Sequence, residues 1–96
     1  MEGSSAEKTS GNSLVKRSFL STPLPKTFKD NTLPGMGKKG TDVLRSLYTS
    51  PKQLLGSYYY HFDAPGSFHK LLVNSGVKPA RATELIAALD EKYMNP

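Results

Sequence analysis

From residue 33 onward the chain is cut at near-regular intervals by proline-bearing breaks: Leu33-Pro34-Gly35-Met36-Gly37, Ser50-Pro51-Lys52-Gln53, Asp63-Ala64-Pro65-Gly66 and Lys78-Pro79. Proline is welcome in the first turn of a helix but stops whatever helix precedes it. The segments between breaks are therefore limited to short elements, and their apolar residues recur at helical spacing. Met36, Gly40, Val43, Leu44 and Leu47 mark one helix running to about Tyr48. Ser50-Pro51-Lys52-Gln53 places Ser at an N-cap, Pro at the first helical position and Gln at the capping-box position, so a second helix starts there with the stripe Leu54, Leu55, Tyr58, Tyr59 and Phe62. The next carries Phe68, Leu71 and Leu72 and ends near Gly76; the last opens at Pro79 and buries Ala82, Leu85, Ile86, Leu89 and Tyr93. Tyr58-Tyr59-Tyr60 favours a strand on propensity alone, but the capping box commits it to a helix.

The first third is less regular. Residues 1–12 hold Ser, Gly, Glu, Lys, Thr and Asn with little that is apolar, which predicts a disordered tail followed by a domain over 13–96. A short helix capped by Ser13 and carrying Leu14, Val15 and Phe19 must stop before Pro23-Leu24-Pro25, and residues 21–32 form an extended connector. The fold expected is all-α: a compact bundle of about five short helices.

A chain of 96 residues has room for one such domain with a modest core. It has no cysteine and two histidines, His61 and His69, which excludes disulfides and leaves too few ligands for a zinc site. Stability must come from packing or from a second subunit. There is no run of 18 apolar residues and no signal-peptide pattern at Met1-Glu2-Gly3-Ser4-Ser5, so a soluble intracellular protein is expected. Net charge is +5, and residues 1–40 hold seven Lys/Arg against three Asp/Glu. That bias suits an anionic partner, nucleic acid or membrane surface.

The sharpest motif is Leu33-Pro34-Gly35-Met36-Gly37-Lys38-Lys39-Gly40-Thr41, which has the pattern of a helix-hairpin-helix DNA-binding motif. Gly35 and Gly37 permit unusual backbone angles and close approach of a phosphate, while Met36 plugs the hairpin into the core. The helix that follows exposes its first N–H groups and the positive end of its dipole. Lys38 and Lys39 in that first turn oppose the dipole, a placement better suited to phosphate contact than to helix stability. Gly76-Val77-Lys78 stands 41 residues after Gly35-Met36-Gly37, and Leu85 stands 41 after Leu44. The second stretch reads either as a degenerate copy of the hairpin, with Lys78 and Arg81 supplying charge, or as a plain glycine-terminated helix followed by a proline-started one.

The aromatic stripe of the Ser50 helix admits stacking on bases or packing as core and subunit interface, and packing is the commoner use. Gly56 in mid-helix costs about 1 kcal/mol relative to alanine, which a close approach across a dimer would justify. His61 and His69 lack paired carboxylates, a nucleophile motif or a nucleotide-binding signature, so neither points to catalysis and no enzyme or cofactor is expected. Ser4, Ser5, Thr9 and Ser10 are candidate phosphorylation sites whose added charge would weaken binding to DNA.

The hairpin, the segment Leu55-Gly56-Ser57-Tyr58, then Phe68 and the turn at Gly76-Val77, with Arg17, Phe19 and Pro23 ahead of them, resemble the barrier-to-autointegration factor family from about residue 16 to 94. The resemblance implies a compact, SAM-like helical protomer, a two-fold dimer and sequence-independent bridging or compaction of double-stranded DNA, without catalysis, in the nucleus and on chromatin and also in the cytoplasm. Family DNA contacts carry over to Gly35, Gly37, Lys38, Lys39, Gly40 and Thr41, then Val77, Lys78 and Arg81, with Lys16 and Arg17 as additions; Met36 joins them as the plug of the hairpin. A groove for LEM-domain proteins carries over to Leu55, Gly56, Tyr58, Tyr59 and Phe62. This chain departs from the family in having Leu71 where a tryptophan follows the Phe68 position, in lacking the Trp and Cys of the last helix, and in one extra residue before the hairpin. The alternatives are a helical adaptor that docks protein partners at the aromatic face without binding DNA, and a single-strand or RNA binder that stacks bases on Tyr58 to Tyr60.

Overall fold

In a computed structural model, residues 14–94 are described, and all regular structure among them is helical. Helix α1 runs through residues 14–21. After a non-helical stretch come α2 (Gly37–Leu47), α3 (Pro51–Tyr60), α4 (Pro65–Ser75) and α5 (Pro79–Leu89), and α5 passes directly into a π-helical turn, Asp90–Met94. The expected tail, its candidate phosphorylation sites and the Ser13 cap lie outside the described residues. No helix among the described residues is long and apolar enough to cross a membrane.

The proline breaks act as the sequence predicts, since α3, α4 and α5 each carry Pro in the first turn. The helix starts where the capping box at Ser50 predicts, but the box itself does not form. Ser50 is the extended N-cap residue, but its side chain caps nothing, and Gln53 reaches back to the Thr49 amide at 3.0 Å instead of the Ser50 amide. At the other end, α4 closes in a Schellman turn: the Val77 amide donates to Leu72 O at 3.0 Å and the Gly76 amide to Val73 O at 3.1 Å. Gly76 takes φ +120°, which side-chain-bearing residues rarely adopt.

One side chain or more from every helix enters the core, including Phe19, Leu44, Leu54, Tyr58, Phe68, Leu72, Leu85 and Leu89. Tyr58 sits under Phe62 and Phe68 in edge-on packing, at ring-centre distances of 6.5 and 6.1 Å. Its hydroxyl donates to the Asp90 carboxylate, so this buried phenol has a partner. The connector expected to be merely extended also contributes: Phe28 is buried, and Arg45 of α2 donates to its carbonyl at 2.8 Å while pairing with Asp42.

Candidate nucleic-acid interface

The chain enters α2 through a corner rather than a capped end. The Met36 amide donates to Leu33 O at 3.1 Å, and Gly35 and Gly37 take φ +80° and +51°, left-handed values that set the two bends. Between them Met36 points inward and is 3% exposed. Gly40 lets it do so, since a Cβ there would stand 3.0 Å from the Met36 sulfur. No helix leads directly into this corner; α1 ends at residue 21, and residues 22–36 are turns and extended chain. Of the motif expected at Leu33–Leu44, the corner and the helix after it are present.

The two glycines have different surroundings. A Cβ on Gly35 would meet Glu84 Cβ at 2.9 Å and the Arg81 carbonyl at 3.0 Å, so this residue lies against the first turns of α5. A Cβ on Gly37 would meet nothing within 4 Å. Gly35 is thus a packing glycine and Gly37 an open one.

The second turn mirrors the first. A Cβ on Gly76 would meet Val43 of α2 at 3.3 Å. Gly35 touches Glu84 and Gly76 touches Val43, and residues 76 and 84 stand 41 after residues 35 and 43. Each turn therefore rests on the helix that follows the other, at equivalent positions. The pairs Met36 and Val77, Thr41 and Ala82, and Leu44 and Leu85 share that spacing, and all six residues are buried. Positions 41 residues apart thus have matching burial and reciprocal neighbours in the two turn-plus-helix units.

The arrangement brings both turns to one groove of about 470 Å³, whose walls include Gly35, Met36, Gly37, Lys38, Lys39 and Gly40 from the first and Gly76, Val77, Lys78 and Arg81 from the second, with Val15 of α1 beside them. Nine of the twelve residues expected at a DNA contact line it; the exceptions are Thr41, Lys16 and Arg17. Thr41 is fully buried and its hydroxyl donates to Gly37 O at 2.5 Å, so its side chain braces the corner instead of facing a ligand. Lys16 pairs with Glu91 at 3.0 Å. Arg17 is exposed on α1.

Neither helix start is capped by a side chain. Among the described residues the amides of Gly37, Lys38 and Lys39, and those of Ala80 and Arg81, have no backbone acceptor. These unspent donors and the positive dipole ends favour an anion by about 0.3–1 kcal/mol for each helix. Lys38, Lys39 and Lys78 form no ion pair among the described residues, whereas Arg81 pairs with Glu84 at 2.9 Å. The pair is exposed and worth little, so it does not hold Arg81 firmly. No three His, Asp or Glu side chains gather into a metal-holding group among the described residues.

The residues expected to form a partner groove divide. Tyr58 is core, Leu55 is half-buried, and Gly56, Tyr59 and Phe62 are exposed. A separate cleft of about 280 Å³ opens beside them, between Tyr58, His61, Phe62, Phe68, Ile86, Asp90 and Met94. His61 Nδ1 stands 2.7 Å from Ser67 Oγ, and His69 Nε2 stands 3.1 Å from Pro79 O and 3.2 Å from Thr83 Oγ1. Both histidines tie neighbouring segments together. No family model, curated protein or solved structure matches the chain.

Proposed function

We propose that the chain binds double-stranded DNA through its phosphates, without reading sequence, and that a homodimer joins two duplexes or two segments of one. The observation that supports this most is the convergence of two uncapped helix starts and three unpaired lysines on one open groove. Such a surface offers amide donors and positive charge, which is the chemistry of backbone binding. On this reading the two turns act as paired helix-hairpin-helix elements, each holding phosphate at its amides, with Lys38, Lys39, Lys78 and Arg81 adding charge. The resemblance to the barrier-to-autointegration factor family agrees with it and extends it to dimerisation through the exposed face of α3, where Gly56 leaves room for close approach. The same resemblance points to action on chromatin in the nucleus, also in the cytoplasm, without catalysis, and to a LEM-domain partner at that face.

A second reading, a protein-docking adaptor, is favoured by the exposure of Tyr59, Tyr60 and Phe62, with Tyr60 85% exposed. None of these three lines the groove between the turns, so stacking of single-stranded bases on them would be a separate site. Replacing Lys38, Lys39 and Lys78 by glutamate tests the main reading. Duplex binding is lost while the helical circular dichroism spectrum persists, and light scattering no longer detects bridged duplexes. Undiminished binding by the triple variant rules the groove out. Preference for single strands, or a partner interaction that survives nuclease in a protein with no duplex affinity, moves the function to the aromatic face.

A further inference from the structure

We propose that Lys92 is a positioning residue that holds α1 on the bundle and thereby keeps one wall of the groove in place; the effect on DNA rests on the reading above, the effect on the groove does not. Helix α1 has eight described residues, and only Phe19 among them is buried. A helix this short is marginal in water, so its position depends on what grips it.

The grip is at its C-terminal end. Local donors serve two of the last carbonyls: Ser21 Oγ donates to Arg17 O at 2.9 Å, and the Thr22 amide and hydroxyl donate to Ser18 O at 3.0 and 2.6 Å. The carbonyls of Phe19, Leu20 and Thr22 receive none of these. All three face Lys92 Nζ, at 2.7, 3.5 and 2.7 Å. An ammonium has three donors and a charge that favours a helix C-terminus, so the match is in both number and sign. Nζ also stands 5.2 Å from the Phe19 ring centre and 5.7 Å from that of Tyr93. It forms no ion pair among the described residues. The neighbouring Glu91–Lys16 pair, with side chains 49% and 46% exposed, is a weaker tie.

The π-helical turn makes this reach available, because in succession Asp90 accepts from Tyr58, Glu91 pairs with Lys16 and Lys92 takes the carbonyls of α1. At the other end of α1, Val15 lines the groove. Loss of the Lys92 contacts therefore frees a helix whose far end walls the proposed DNA site.

Lys92→Met keeps the apolar stem and removes the charge and donors, Lys92→Arg keeps both, and Glu91→Gln breaks only the weaker pair. Amide exchange and chemical shifts are followed in the free protein, and duplex affinity at 0.1 M salt is measured alongside. Lys92→Met raises exchange at residues 18–22 at least about tenfold over that in α4 and α5. It shifts the amides of Gly37–Gly40 and Val77, and weakens duplex binding about eightfold, the equivalent of one phosphate contact at that salt. Lys92→Arg restores most of each signal, and Glu91→Gln leaves exchange in α1 and the groove amides near wild type. Unchanged exchange in α1 overturns the role of Lys92. Faster exchange with unmoved groove amides overturns the link to the groove. Faster exchange and moved amides in a wild-type background that binds no duplex leave the proposal standing and refute the DNA reading instead.

Discussion

Alanine at positions 35 and 37 separates packing from strain at the same corner. Both glycines have positive φ, +80° and +51°, so either substitution carries the left-handed penalty of about 1–2 kcal/mol, reduced by about 0.4–1 kcal/mol because alanine restricts the unfolded chain. At Gly37 nothing else is added, since the new methyl meets open space. At Gly35 the methyl falls 2.9 Å from Glu84 Cβ and 3.0 Å from the Arg81 carbonyl. Neither neighbour is a flexible side-chain end; both are fixed to α5, so the turn and helix must separate. Overpacking of that kind costs about 1–3 kcal/mol more. Gly37→Ala is therefore expected to lose about 0–1.6 kcal/mol and Gly35→Ala about 1–4.6 kcal/mol, the difference between them being the overpacking cost of about 1–3 kcal/mol. For a domain of this size, 1 kcal/mol corresponds to about 4–8 °C in Tm. Thermal unfolding followed at 222 nm, with denaturant titration as a check, measures both. Duplex affinity of the folded Gly37→Ala protein falls because its methyl stands among the free amides. Equal losses of stability at the two positions would refute the argument that Gly35 seats the first turn on α5.

Three further outcomes follow from contacts away from the groove. Burial, and then the hydrogen bond to Asp90, raise the Tyr58 pKa above its ordinary 10.0. The unfolded phenol ionises first as pH rises, so stability from this group is fully present below pH 10.0 and is lost above it, by at most about 1.4 kcal/mol per pH unit; Tyr58→Phe flattens the fall seen in melts between pH 9 and 11. Arg45→Met removes the bond to Phe28 O and the pair with Asp42, costing about 1–2 kcal/mol in denaturant titration and speeding amide exchange in residues 24–33. Thr41→Val fills nearly the same space but removes the bond to Gly37 O, and loses about 1 kcal/mol while leaving groove charge and salt dependence as they were.

Much of the fold was legible because it is written locally. Proline in a first turn and glycine after a last one act within a few residues, and they place the starts of α3, α4 and α5 and the end of α4. The periodicity at Leu44, Leu54, Phe68, Leu72 and Leu85 likewise marks buried faces, and each of these residues is buried. Legibility fades where the decisive partner is far along the chain. Nothing near Phe28 announces burial, because its anchor is Arg45. Nothing near Lys92 reveals that it serves carbonyls 70 or more residues earlier. Tyr58 reads equally as an interface residue or as core until Asp90 is seen to take its hydroxyl.

The proposed site shows the same division. The pattern of Gly35, Met36 and Gly37 tells that a corner precedes a helix, and its 41-residue echo at Gly76 is visible by counting. That the two corners rest on each other's helices depends on the packing of Gly35 on Glu84 and of Gly76 on Val43, which no local signal encodes. The burial of the Thr41 side chain is also not legible locally: i to i−4 bonding to Gly37 O turns its hydroxyl inward. No helix leads directly into Gly35: Pro34 disfavours helical backbone at Leu33, and residues 30–33 are turns.

The salt dependence of duplex affinity tests the central claim most directly, because held phosphates release counterions in proportion to their number. With the cations of both turns engaged, about 3–5 phosphates are neutralised, and the logarithm of affinity falls against that of salt with a slope of about −3 to −5, alike for duplexes of unrelated sequence. A flat dependence, or affinity confined to one sequence, would contradict it.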